Sequence, residues 1–253
     1  MTSLVSRLQH CVTPNALRSY LAEFISTFFF VFAAIGAAMA SRKLMHDAPL
    51  DPSSLIGIAI ANGFSLFVAV YVASNSSGGH VNPAVTFSMA VGGRISLPVS
   101  IFYWISQLLG SAFACLLLRI TTVGQEIPTH TMPSEMTGFG ASILEGIMTF
   151  SLVYTFYAAC DPRRVSMAGA IGPLAVGLIS GANVLASGPF TGGSMNPAYS
   201  FGSALIRGSF KNQAVYWVGP LIGGAVAGIL YDNVVFPNQV PDSSLRGINA
   251  DGV

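Results

Sequence analysis

An eleven-residue frame occurs twice in this chain. Ser-Gly-Gly-His-Val-Asn-Pro-Ala-Val-Thr-Phe fills 77–87 and Thr-Gly-Gly-Ser-Met-Asn-Pro-Ala-Tyr-Ser-Phe fills 191–201, 114 positions further along a sequence of 253 residues. A repeat of this length, offset by nearly half the chain, means two related halves that each deliver the same polar loop to an equivalent place. The correspondence reaches beyond the loops. Leu-Ala-Glu-Phe-Ile-Ser-Thr-Phe around Glu23 answers Ile-Leu-Glu-Gly-Ile-Met-Thr-Phe around Glu145, and Phe-Tyr-Trp-Ile (102–105) answers Val-Tyr-Trp-Val (215–218).

The rest of each half is apolar. Hydrophobic residues make up 52% of the chain, charged residues only 8%, and the mean hydropathy is +0.64. A soluble domain carries roughly 25% charged residues, so this chain cannot cover itself with a solvated surface and belongs in a lipid bilayer. A net charge of +1 gives no reason to expect a nucleic-acid partner. A membrane helix needs ~20 mostly apolar residues, and six stretches qualify: 17–40, 54–74, 98–120, 140–160, 167–187 and 213–236. Three spans per half is an odd number, so the second half enters the membrane inverted and the shared site falls near the midplane. The expected architecture is all-α: six transmembrane helices plus two re-entrant half-helices in one domain (1–253), with repeat halves 17–120 and 140–236 and a polar tail 237–253. Charge does not fix the orientation. With both termini cytoplasmic, Arg7, Arg18, Arg94, Arg163, Arg164 and Arg246 lie inside and Arg42, Lys43, Arg119, Arg207 and Lys211 outside, a near balance under the positive-inside rule. No cleavable signal peptide is evident.

The half-helices are the apolar stretches 85–91 and 199–206, which are too short to cross and follow a proline suited to a first helical turn. Two such half-helices from opposite faces meet with their N-termini together, each carrying about half a positive elementary charge. That is a barrier to cations. Asn82 and Asn196 project amide donors from the same point, so a passing water turns its oxygen to them and its hydrogens along the file, interrupting a proton wire. The glycine-rich segments Gly78-Gly79-His80-Val81 and Gly192-Gly193-Ser194-Met195 are expected to line the vestibules with carbonyl acceptors, glycine allowing unusual dihedrals there.

These motifs, Asn82-Pro83-Ala84 and Asn196-Pro197-Ala198 foremost, resemble those of the major intrinsic proteins, the aquaporin family. The frames 77–87 and 192–198 with Gly-Ala-Asn-Val-Leu (181–185) and Val-Tyr-Trp-Val-Gly-Pro-Leu-Ile-Gly-Gly (215–224) are most similar to the plant tonoplast intrinsic branch. The resemblance implies a water and small-solute pore in every subunit, a homotetramer, no cofactor, no enzymatic activity and a vacuolar membrane, with another intracellular membrane as the alternative. Aquaporin-type selectivity rests on pore diameter, lining donors and acceptors, and half-helix dipoles. Ser200, Ala204, Tyr216 and Trp217 fall where water-conducting members differ from glycerol facilitators, and all four are of the water type.

The family's narrowest point maps onto Asn62, Val184, Gly193 and Tyr199, and here the chain departs from the usual pattern. Most members carry arginine at the position of Tyr199, and a divergent tonoplast subgroup lacks it. Losing a guanidinium removes a fixed charge and a rigid fork of donors. Val184 and Gly193 are small, and Asn62 offers both donor and acceptor. Tyr199 either turns aside, opening the filter to urea, glycerol, ammonia or hydrogen peroxide beside water, or fills the lumen.

Glu23 and Glu145 are intramembrane carboxylates, a functional class by default. Their matched positions favour a supporting role, accepting hydrogen bonds from the loop backbones, over a proton relay. His80 is expected to turn its ring behind the loop. His130, in a Pro-Thr-His stretch similar to that of tonoplast relatives, is either a surface residue or part of the pore mouth. Cys11, Cys115 and Cys160 lack metal-ligand spacing and read as buried packing, with Cys115 also a conceivable mercury target. Gly177 and Gly181, Gly219 and Gly223, and Gly224 and Gly228 have small-xxx-small spacing for close helix packing. Two other classes stay open on sequence grounds: an ion-coupled secondary transporter, which also uses inverted repeats, and a poorly conducting membrane scaffold.

Overall fold

The structure is a computed structural model and describes residues 11–44, 51–161 and 171–237. Its elements in chain order are α1 (Pro14–Leu44), α2 (Pro52–Ser77), α3 (Pro83–Val91), α4 (Leu97–Thr121), α5 (Gly138–Ala159), α6 (Ile171–Ser187), α7 (Pro197–Arg207) and α8 (Val215–Leu230), the last continuing into a π-helical turn, Tyr231–Val235. The described residues are helix and connecting loop, and five of the helices are long and apolar enough to cross a membrane. The remaining expected span, 167–187, is described from Ile171 onward as the shorter apolar helix α6. Its first four positions, the tail beyond Pro237, and Arg7, Arg163, Arg164 and Arg246 lie outside the described residues.

α1, α2 and α4 overrun the expected bounds at both ends, because hydropathy marks the lipid-facing stretch while caps and prolines set the ends, whereas α8 begins and ends inside its expected stretch 213–236. Asp51 caps α2, accepting hydrogen bonds from the Ser53 and Ser54 backbone N–H groups, and Pro52 occupies the first turn, where its missing N–H costs nothing. Both half-helices begin at the motif proline rather than after it. Cys11 and Cys115 are buried, whereas Cys160 is exposed at the C-terminal cap of α5. The expectation of packing fails there because the residue stands just past the last helical turn.

Burial is inverted relative to a soluble protein. Leu21, Ile25, Phe29 and Phe32 face outward along α1, as do Ile56, Ile60, Phe64 and Val68 along α2, while Glu23, Asn62, Gln107, Glu145 and Thr149 are buried. Outward apolar side chains cost nothing in lipid, and polar groups are driven inward to find partners.

The packing repeats across the halves. α1 packs on α2 and α4, and its counterpart α5 packs on α6 and α8; α2 and α6 cross each other, and each half-helix lies against the third span of the opposite half, α3 on α8 and α7 on α4. Glycine makes the central approaches possible. A Cβ on Gly63 would stand 2.8 Å from the Gly177 carbonyl oxygen, and one on Gly223 would collide with the Gly146 backbone. The small-residue spacings therefore serve contacts within one subunit: Gly177 and Gly181 meet α2, Gly219 and Gly223 meet α5, and Gly224 and Gly228 admit α3.

Candidate functional site

The two loops that lead into the half-helices have nearly superimposable backbones. Gly78, Gly79 and Val81 have φ of 87°, 68° and 58°; Gly192, Gly193 and Met195 have 85°, 65° and 53°. Glycine takes positive φ freely, but a β-branched valine there is strained by about 1–3 kcal/mol and needs surroundings that hold it. The buried glutamates supply the hold. Oε1 of Glu23 accepts from the Ser77 hydroxyl at 2.6 Å and the His80 N–H at 2.9 Å, and Oε2 accepts from the Val81 N–H at 2.7 Å and the Gln107 amide at 2.8 Å. Glu145 repeats the scheme: Oε1 accepts from the Thr191 hydroxyl at 2.6 Å and the Ser194 N–H at 3.1 Å, and Oε2 from the Met195 N–H at 2.7 Å. A carboxylate, acceptor on both oxygens, is the side chain this set of donors requires. A tyrosine clamps the start of each loop, Tyr103 donating to the Ser77 carbonyl and Tyr216 to the Thr191 carbonyl, both at 3.0 Å.

Each motif asparagine acts at two places. Oδ1 of Asn82 accepts from the Ala84 N–H at 2.8 Å and Oδ1 of Asn196 from the Ala198 N–H at 3.0 Å, so both cap the half-helix that follows. Their amide nitrogens cross to the opposite loop: Nδ2 of Asn82 donates to the Met195 carbonyl and Nδ2 of Asn196 to the Val81 carbonyl, each at 2.9 Å. The two half-helix N-termini are thus tied to one another by reciprocal bonds. Each amide has a second N–H left to donate. The carbonyls of Val81 and Met195, counted among the vestibule acceptors from sequence, each spend one lone pair on this brace.

The four residues mapped to the narrowest point come from α2 (Asn62), α6 (Val184), the loop at Gly193 and the first turn of α7 (Tyr199). Oδ1 of Asn62 accepts from the Ser180 hydroxyl at 2.7 Å, bridging α2 to α6. Tyr199 is only 4% exposed. Its ring meets Phe30 of α1 edge-on at 5.1 Å and His130 edge-on at 4.4 Å. The side chain therefore neither hangs free nor projects into solvent; it is wedged between a span and a loop. A cavity of about 290 Å³ opens above it, with Tyr199, Val184 and Gly192 among its lining and His130 on its wall. Neither motif asparagine is among the residues that line this cavity.

His130 lines the cavity and is 8% exposed, so it is not the surface residue that one alternative expected. Desolvation holds its imidazole neutral, with the pKa lowered to about 4. The His80 ring sits behind its loop, Nδ1 3.0 Å from the Thr86 hydroxyl and the ring edge-on to Tyr103 and Phe156. Sequence reasoning did not single out Phe30, Ser180 or Gln107; each is an ordinary residue of an apolar span whose role depends on what it meets.

Comparison with known proteins joins this geometry to a family. The family model described as Major intrinsic protein matches residues 10–231. The chain belongs to the major intrinsic protein family. It is 58% identical to Probable aquaporin TIP5-1 of Arabidopsis thaliana, over 97% of this chain and 96% of that one. It is 57% identical to Aquaporin TIP2-1 of the same plant, over 87% and 88%. Among solved structures it resembles the aquaglyceroporin from Plasmodium falciparum, with a TM-score of 0.71 and 23% identity, covering 87% of this chain and 96% of that one. The last comparison speaks for the fold. As a major intrinsic protein, the chain is a multi-pass integral membrane channel with the aquaporin fold, not an enzyme.

Proposed function

We propose that this protein passes water and small neutral solutes passively, urea foremost among the solutes, and excludes protons. The observation that carries the proposal is the reciprocal asparagine brace. It sets two positive half-helix ends face to face and leaves one amide N–H on each asparagine for a passing water, so that cations meet a fixed field and a water file meets a fixed orientation. Breadth towards urea, glycerol, ammonia or hydrogen peroxide follows from Val184 and Gly193, which are small, and from a tyrosine where most relatives carry a charge. In this reading Tyr199 is a wall of the filter, held by aromatic contacts rather than by an ion pair. A homotetramer in the vacuolar membrane is the assembly that the family resemblance and the tonoplast-type relatives favour.

Stopped-flow swelling of proteoliposomes with water, urea, glycerol and ammonia tests this. Wild type is expected to outpace empty vesicles for water and urea without saturation or dependence on an ion gradient. Tyr199→Arg is expected to lower urea permeability relative to water by on the order of tenfold. Equal ratios in the two proteins would remove Tyr199 as the determinant of breadth. Saturable flux that needs an ion gradient would favour a transporter, and swelling no faster than empty vesicles a scaffold.

A further inference from the structure

The cavity above Tyr199 has one charged side chain in its lining among the described residues, Arg42 in the last turn of α1. Ile35 and Ala38 line the same cavity, and positions 35, 38 and 42 share one face of a helix. The guanidinium is thus carried on the cavity-facing stripe of α1, above a floor of Tyr199, Val184 and Gly192 that carries no charge. Two other charged groups act on Arg42 from nearby, Arg207 and Glu126, and these are joined to each other at 3.2 Å. Among the described residues Arg42 itself makes no ion pair or hydrogen bond.

We propose that Arg42 is a specificity-determining residue of this channel: it supplies from the rim of the vestibule the cation-repelling charge that the constriction, with tyrosine at 199, does not contain. The proposal rests on the channel reading above. Arg42 is exposed to solvent at the edge of the cavity, so water screens its outer side, while on the inner side the mostly apolar walls focus its field into the cleft. Arginine keeps that charge at any physiological pH. Moving the charge outward separates two tasks: cations are turned away at the mouth, while the narrow part stays free of a guanidinium and its donors, and neutral solutes larger than water are not obstructed by it.

The test reads the sign of the vestibule potential. Thr131, exposed on the cavity wall, is replaced by cysteine in a Cys160→Ser background, with Thr129→Cys as a second reporter. Reaction rates with a sulfonate-bearing (anionic) and a trimethylammonium-bearing (cationic) methanethiosulfonate are each divided by the rate with free mercaptoethanol. With Arg42 present the anionic reagent should be favoured by roughly threefold or more. Arg42→Gln should bring the ratio towards one, Arg42→Lys should retain most of it, and high salt should collapse the native preference. An unchanged ratio in Arg42→Gln at either reporter would overturn the proposal. Swelling is measured on the same vesicles. Absent swelling in wild type would count against the channel reading, and an unchanged thiol ratio with swelling intact would count against Arg42 alone.

Discussion

Loop 77–82 and loop 191–196 follow the same path with different company. Their positive φ values agree within a few degrees, and each is held by a glutamate, a hydroxyl and a tyrosine at equivalent places. Around the first loop the remaining space is filled by polar groups that bond among themselves: His80 reaches Thr86, and Gln107 donates to both Glu23 and Thr86. In the second half the residue answering Gln107 is Pro220, inside α8, Ser194 turns its hydroxyl to the Asn196 carbonyl, and the loop runs beside the vestibule under His130 and Tyr199. The lesson is a division of labour. What the halves share builds the backbone and the brace; what they do not share sets how many bonds hold each loop and which side chains surround it.

The largest expected effect comes from the anchors. In Glu23→Gln the new amide brings donors to a position already facing the Val81 N–H and the Gln107 amide, and each donor left without an acceptor costs about 1–3 kcal/mol. Glu145→Gln orphans the Met195 N–H alone, so its loss should be about half as large. Thermal unfolding of the purified protein in detergent measures both, and equal losses would break the claim that the first loop is the more heavily held.

A smaller effect should appear on acidification, at the connection between the halves that packs over Tyr199. His130 lies in the connection between spans and titrates at about 4 when packed, below the roughly 6.5 of a free histidine. The unfastened loop therefore binds a proton first. The stability of the packed arrangement is full above about pH 6.5, falls as pH drops from there towards 4, and is flat below, for a loss of about 3 kcal/mol in total. Hydrogen exchange over 127–133 across that range checks the sign. His130→Phe should abolish the dependence, and a dependence that persists in the variant would assign it elsewhere.

The smallest difference should be between the tyrosine clamps. Tyr103→Phe and Tyr216→Phe each remove one buried hydrogen bond to a loop carbonyl, at about 1 kcal/mol. Matching shifts in thermal midpoint would sharpen the equivalence of the two anchors. A shift confined to one variant would mean that the clamps are alike in geometry only.

Much of this was legible because it is written in local pattern. Six apolar stretches, two polar frames and two matched glutamates can be read off without knowing any contact, and the prolines mark where each half-helix starts. The boundaries of the first three spans are short by one to four residues at each end, since caps such as Asp51 act outside the apolar run. Tyr199 could be picked out by counting from the motif, but not its conformation: where its ring lies depends on Phe30, 169 positions away in the sequence. Gln107 and Ser180 left no signal because a single polar residue in an apolar helix is equally compatible with several partners.

The repeat and the hydropathy of this chain were enough by themselves to determine an inverted pair of three-span halves with a polar loop in each, because bilayer thickness and backbone hydrogen bonding leave few alternatives. The tertiary structure alone decided which carbonyl each asparagine amide would cross to, which helix each glycine would admit, and that Arg42 would stand over the vestibule. Those outcomes turn on the rotation and approach of helices far apart in sequence, and a shift of an ångström or a fraction of a turn would change every one of them without altering the pattern of apolar and polar residues.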